Sequence, residues 1–169
     1  MRIRGRAILV VTWILLVVCC STSRMSREER LAKQAKVEQM VEDSIGNRSF
    51  TIDINHVVPN RMPARHLEYG YYIRLYNDSV DAYIPFFGVA YRAEYGTNDE
   101  GIKYKGPISG FSINRINKDI QQVNIIAKKP LDEILYQIDI YKSGSATVFV
   151  RSMNRESIRF SGEMVLNEQ

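Results

Sequence analysis

The stretch Ile158-Arg159-Phe160-Ser161-Gly162-Glu163-Met164 separates apolar from polar residues at every second position. That period places one set of side chains on each face of an extended chain, the pattern of a half-buried antiparallel strand. The same alternation runs through Phe50-Thr51-Ile52-Asp53-Ile54, Ile134-Leu135-Tyr136-Gln137-Ile138-Asp139-Ile140 and Ala146-Thr147-Val148-Phe149-Val150-Arg151. Turn residues stand between such runs at Asn77-Asp78, Asn117-Lys118-Asp119, Lys142-Ser143-Gly144 and Met153-Asn154,. Further strands are expected near 69–76, 79–84, 102–105, 108–116 and 121–128. The fold class is therefore mainly β: a single antiparallel meander that hides its edges by curling into a small lipocalin-like barrel or half-barrel, with a β-sandwich as the alternative.

Upstream of this body lies one helical segment. Ser26-Arg27-Glu28-Glu29 has the form of a capping box, with Ser at the N-cap and Glu three residues on,. The helix is expected to run through Leu31, Ala35, Val37, Met40, Val41 and Ile45, and to stop at Gly46-Asn47,. Its apolar stripe is narrow and its first half charged, so it reads as a spacer whose last turns dock on the β body.

The N-terminus carries a different signal. Arg2, Arg4 and Arg6 precede an uncharged run from Ala7 to Val18. A run of about 12 residues falls short of the roughly 20 needed to span a bilayer and fits the core of a secretory signal. It ends on Cys19-Cys20 followed by Ser21-Thr22-Ser23, which resembles a bacterial lipobox. The residue before the lipidated Cys is small in that motif, which favours Cys20 over Cys19; an uncleaved anchor and a plain secretory signal are the alternatives. The expected organisation is a lipoprotein signal peptide over 1–20, a tether and spacer helix over 21–47, and a β-barrel-like domain over 48–169. Loss of the three Arg takes the formal charge from +4 to +1. A near-neutral mature chain lacks the electrostatic footprint of a nucleic-acid binder.

Candidate chemistry is sparse. The two Cys are adjacent, and His56 and His66 are the only His. Both His lie beside Pro59 and Pro63, which reads as loop rather than strand,. A useful metal site needs three or more converging ligands, so neither metal nor cofactor is expected. Scattered Met25, Met40, Met62, Met153 and Met164 read as packing residues. Asp99-Glu100 and Asp132-Glu133 are neighbours on extended chain and point opposite ways, so neither forms an acid/base dyad,. No G-x-S-x-G elbow occurs, and no catalytic residue is assigned,. The richest stretch holds Tyr83, Phe86, Phe87, Tyr91, Arg92, Tyr95 and Tyr104. Aromatic faces with a few charges suit a cleft for an organic ligand, a sugar or a peptide; the alternative is a bulged corner plugging the core. Arg151, Arg155 and Arg159 line the last hairpin, either as an anion clamp or as surface ion pairs, with Arg155 near Asp139 or Glu156.

Asp81-Ala82-Tyr83-Ile84-Pro85-Phe86-Phe87-Gly88-Val89-Ala90-Tyr91 resembles "YLPYFGRAY", a signature of the domain of unknown function 4251 family, small envelope lipoproteins of the Bacteroidetes. Gly101-Ile102-Lys103-Tyr104-Lys105-Gly106-Pro107 is similar to that family's "GGIDFEGP". Gly144-Ser145-Ala146-Thr147-Val148 with Asn154-Arg155-Glu156-Ser157-Ile158-Arg159-Phe160-Ser161-Gly162 is similar to its closing "GSATV…NRQSISYSG". Val89 replaces the family's usual Arg, and Lys103-Tyr104-Lys105 is basic where the family is often acidic. The resemblance implies a compact β-barrel-like fold in the cell envelope and supplies no catalytic residues. It also brings in two short motifs. Asp43-Ser44-Ile45 and Asp78-Ser79-Val80 resemble the O-glycosylation sequon of the same phylum, at Ser44 and Ser79. The surface-export signal of that phylum is an acidic cluster after the Cys, which Ser21-Thr22-Ser23-Arg24 does not resemble.

Together these readings give a non-enzymatic lipoprotein, acylated (palmitate among its chains) and held by its lipid at the periplasmic face of the outer membrane. It is expected to bind a small molecule or an envelope protein and no nucleic acid. A structural or assembly factor of outer-membrane complexes is the second class, and an enzyme acting on envelope glycans or peptides the third.

Overall fold

A computed structural model describes residues 26–68, 70–91 and 101–166. The signal segment with Cys19 and Cys20, and Met25, Arg92, Tyr95, Asp99 and Glu100, lie outside the described residues. By contacts the chain divides after Gln34. The described part of the first unit is the start of α1 (Arg27–Gly46). There the capping box forms as read: the Glu29 amide donates to Ser26 Oγ at 3.1 Å and the Ser26 amide donates to Glu29 Oε2 at 2.8 Å.

The second unit holds the last three turns of α1 and ten strands among the described residues. These are β1 (Ser49–Val58), β2 (Arg65–His66), β3 (Tyr72–Tyr76), β4 (Ser79–Pro85), β5 (Gly101–Pro107), β6 (Gly110–Arg115), β7 (Ile120–Lys129), β8 (Asp132–Tyr141), β9 (Ser145–Ser152) and β10 (Ile158–Met164). All described pairings are antiparallel, in the order β5-β4-β3-β1-β10-β9-β8-β7-β6, with β2 added beside β1. The two ends of this path, β5 and β6, are joined by only Ile108 and Ser109. Ile108 N–H donates to Asp78 O at 2.9 Å, and Ser109 N–H donates to Ile126 O at 2.7 Å. One step of chain thus leaves the β4 side and takes up the β7 side, so the curled sheet forms a half-barrel rather than a sandwich. Pro85 stands at the last position of β4, where a missing N–H is tolerated,.

The inward face is the apolar half of the alternation. Ile52, Ile73, Ile84, Ile138, Val148 and Phe160 are each fully buried. Burial of such side chains contributes roughly 1.5–3 kcal/mol apiece before the entropy of ordering is counted. Val41 and Ile45 of α1 join this core, and Val37 packs partly against it. Two ion pairs hold that end of the helix: Arg115 with Glu42 at 2.9 Å, and Lys142 with Glu38. The Glu38 carboxylate beside Lys142 raises the ammonium pKa above its ordinary 10.5.

The structure corrects one expectation here. His56 and His66 lie in β1 and β2, not in a loop. Pro59 and Pro63 fall in the connection between those strands, where no ladder N–H is needed,. The register of β1 against β10 slips between Ile54 and His56. This bulge adds one residue, Asn55, and interrupts the period-two pattern that would have announced a longer strand.

Candidate functional site

On one face of α1, Lys36, Met40, Asp43 and Ser44 follow helical spacing,. They stand across a groove of about 630 Å³ from Thr51, Arg74 and Tyr76, with Val165 and Leu166 supplying apolar surface beside the buried Phe50 and Leu75. The register places Thr51 opposite Arg74 and Ser49 opposite Tyr76 on the outer face of the sheet. Arg74 Nε donates to Thr51 Oγ1 at 3.3 Å, and its guanidinium lies 5.2 Å from the Tyr72 ring centre. The groove therefore presents two cations, Lys36 and Arg74, and one carboxylate, Asp43, beside the apolar Met40, Val165 and Leu166.

The aromatic residues expected to share one cleft are divided by the sheet. Tyr83 lies on the outer face, its ring 5.3 Å from Tyr71 and capped by Lys103 Nζ at 4.9 Å. Tyr104 pairs in register with buried Ala82 and packs partly against the core, its hydroxyl donating to Pro107 O at 2.7 Å. Phe86 and Phe87 are half-buried against the core, under Arg155 at 5.2 Å and Arg65 at 4.8 Å. Tyr91 is 68% exposed.

A strap follows Phe87. Ala90 bridges Arg155, Tyr91 N–H donates to Asn154 O at 2.8 Å, and Glu156 N–H donates to Val89 O at 2.9 Å. The Glu156 carboxylate receives Asn60 Nδ2 at 3.3 Å and Val89 N–H at 3.3 Å, with Arg61 Nε at 3.5 Å. The Asn60 amide first, then the Val89 N–H and Arg61, hold this carboxyl below the usual 4.5. One acidic side chain thereby ties two loops to the β9–β10 turn.

Asp132 and Glu133 do point apart. Asp132 accepts from Ser152 Oγ at 2.8 and 2.9 Å, whereas Glu133 pairs outward with Lys128 at 3.5 Å. Arg155 does not bridge to Asp139 or Glu156; its guanidinium donates to Gly101 O at 3.1 Å over Phe86. Asp139 instead accepts from Gln122 Nε2 at 2.8 Å. Arg151 and Arg159 make no ion pair among the described residues. Ser79 is exposed at the start of β4, while Ser44 is half-buried in the groove. Among the described residues no three His, Cys, Asp or Glu side chains converge on a common point.

The family profile of the domain of unknown function DUF4251 matches residues 32–164. The chain belongs to the DUF4251 family. It is similar to the crystal structure of a DUF4251 family protein from Bacteroides eggerthii DSM 20697, with 14% identity and a TM-score of 0.62 over 80% of this chain and 91% of that one. At that identity the likeness concerns the fold alone. No curated protein matches the chain.

In this DUF4251 chain the aromatic motif is a structural corner: it ends β4, seats Phe86 and Phe87, and begins the strap. Gly88 in that motif has a local reason. A Cβ there would stand 3.0 Å from the Phe86 ring and 3.2 Å from Glu156 Oε2. The groove was not anticipated. Its sequence signal was present in Lys36, Met40 and Asp43 on one turn-to-turn line, but their partners Thr51 and Arg74 come from the polar face of strands, which alternation alone marks as solvent-facing.

Proposed function

We propose that this DUF4251 protein is a lipid-anchored, non-enzymatic binding module of the cell envelope, with the groove beside α1 as its ligand site. The observation that carries this reading is the groove itself. Its volume of about 630 Å³ falls within the range that encloses a small organic ligand,. Lys36 and Arg74 outnumber Asp43 and leave a net positive charge, and Met40, Val165 and Leu166 supply apolar contact. That combination suits an amphipathic organic anion, a carboxylate or phosphate on an apolar body. The lipobox-like Cys19-Cys20 and the tether before Ser26 support attachment to the periplasmic face of the outer membrane. Each buried acyl CH₂ adds about 0.8 kcal/mol, so several chains at one N-terminus hold the protein firmly.

Two measurements test the two parts. Replacing both Cys19 and Cys20 with Ala should move the protein to the soluble fraction; retention on the membrane overturns the anchor. Thermal melts with a panel of amphipathic carboxylates and phosphates test the groove. A ligand at 100 times its Kd stabilises by about 2.7 kcal/mol. The shift should disappear in Arg74→Ala; a panel without any shift, or a shift that survives Arg74→Ala, overturns the site.

An assembly role is favoured by a different observation. Met153 is 74% exposed and lines a hollow of about 310 Å³ with Ile126, Leu135 and Arg151, and Leu131 is also 74% exposed. Exposed apolar side chains around a hollow suit a protein contact. Co-purification of one envelope protein that is lost on Met153→Glu would favour this reading.

A further inference from the structure

The bulge in β1 has a chemical consequence. Before it, Ile52 and Ile54 face inward; after it, Val57 faces inward and is fully buried. The extra residue therefore turns His56 outward, opposite Ser161 of β10 on one side and His66 of β2 on the other,. Leu67 N–H donates to Asn55 O at 2.8 Å, flanking the His56–His66 pair and making it a non-hydrogen-bonded pair. Side chains stand closest at such pairs. The two rings meet edge to face at 69°, with centroids 4.8 Å apart.

The centroid spacing is one that two imidazoles on a shared ion take once a ring turns to bring its Nε2 toward the other's,. With a metal about 2.1 Å from each coordinating nitrogen, two imidazoles on one ion have ring centres about 5 Å apart. His56 Nδ1 lies 3.0 Å from Asn55 Oδ1. Donation from Nδ1 to that oxygen is the tautomer that leaves Nε2 as the ligand atom. The surroundings favour positive charge. His66 opens on a hollow of about 380 Å³ also lined by Asp53, Glu68 and Glu163. Asp53 and Glu163 stand opposite each other across β1 and β10 with no ion pair among the described residues. The nearest cation in sequence, Arg65, is turned away onto Phe87 at 4.8 Å and Met62 Sδ at 3.7 Å.

We propose that His56 and His66 form a two-imidazole site for a divalent late-transition cation of the Zn²⁺ or Cu²⁺ class, with water filling its remaining positions. Imidazole ligands select such ions over Mg²⁺ or Ca²⁺. Two protein ligands leave the ion open to exchange, so the site binds reversibly rather than holding a structural metal.

The test uses the full chain in detergent with Cu²⁺ alone as the probe. The expected result is one reversibly bound Cu²⁺ per chain whose electron paramagnetic spectrum couples to two imidazole nitrogens. His56→Gln and His66→Gln should each leave a single imidazole coupling and weaken binding at least tenfold. Both side chains are exposed, so unchanged melting curves without metal confirm that the variants fold. Zn²⁺ should raise the melting temperature of the parent and of neither variant. A single imidazole in the parent spectrum, or variants that bind like the parent, overturns the proposal.

Discussion

The strands from β7 to β10 and those from β1 to β5 use the same alternation to different ends. β7 and β8 pair over ten consecutive positions, from Ile120 with Tyr141 to Lys129 with Asp132, without a break. β8, β9 and β10 continue that regular ladder. In the other half, β1 slips register after Ile54, changes neighbour from β3 to β2 along one edge, and leads into Asn60 and Arg61, which meet the Glu156 that ties down the strap. The regular half is a frame whose inward side chains fill the core. The interrupted half carries the outward imidazole pair and, with α1, the groove. Departure from the period re-aims His56, whereas the groove draws on positions of β1 and β3 that keep the regular register,.

The sharpest way to break this contrast is Gly162→Ala. Gly162 pairs with Ile54 at the slip, and a Cβ there would lie 2.0 Å from Asp53 O. No side chain fits against backbone at that distance, so β1 and β10 must separate or the bulge must move. The expected loss is about 4 kcal/mol or more, the range reserved for a broken core pairing. Urea denaturation measures it. A loss under about 1 kcal/mol would mean that the bulge relaxes freely and does not fix His56.

Much of the frame was readable in advance. The alternation in 134–140, 146–151 and 158–164 gave β8, β9 and β10 with their inward faces, and Ser26 with Glu29 gave the start of α1. In the bulged half β3, β4 and β5 stand where strands were expected near 69–76, 79–84 and 102–105, but β1 was legible only to Ile54, because Asn55 shifts the parity and the prolines after Val58 resemble a loop. The aromatic stretch left a cleft and a core-plugging corner both open for a related reason. Closeness in sequence does not fix closeness in space: Ala82 and Ile84 face inward and so commit Tyr83 to the outer face,. Tyr104 joins from β5, and its face depends on a register that the intervening loop conceals. The groove required knowing where α1 lies against β1 and β3, which no local period contains.

A smaller effect sharpens the picture of the frame. Tyr136 is fully buried in β8, and its hydroxyl is without a hydrogen-bond partner among the described residues. Burial first, then Tyr104 and Asp132 nearby, push its pKa well above the usual 10.0. Tyr136→Phe keeps the ring and removes the unpartnered oxygen. Losing such a group is neutral or stabilising, by up to about 1 kcal/mol. A clear loss of stability in thermal melts would show that the hydroxyl has a partner, such as a buried water.

The smallest expected effect belongs to the strap, and its sign is set by Glu156. The carboxyl is held below 4.5 in the folded chain by Asn60, Val89 N–H and Arg61. A depressed folded pKa means that the stabilisation is present above the unfolded value and is lost as pH falls through the folded one. Between pH 5 and 7 the parent should therefore exceed Glu156→Gln slightly in urea midpoint, and the two curves should converge as pH falls below 4.5 through the folded value,. Hydrogen exchange locates the effect. The amides of Val89 and Tyr91 should exchange faster in the variant at neutral pH, while those of β7 and β8 stay unchanged, because the strap opens without the frame. Equal acceleration in both halves would mean that Glu156 supports the whole sheet, and the division between a rigid frame and an adaptable half would then be wrong.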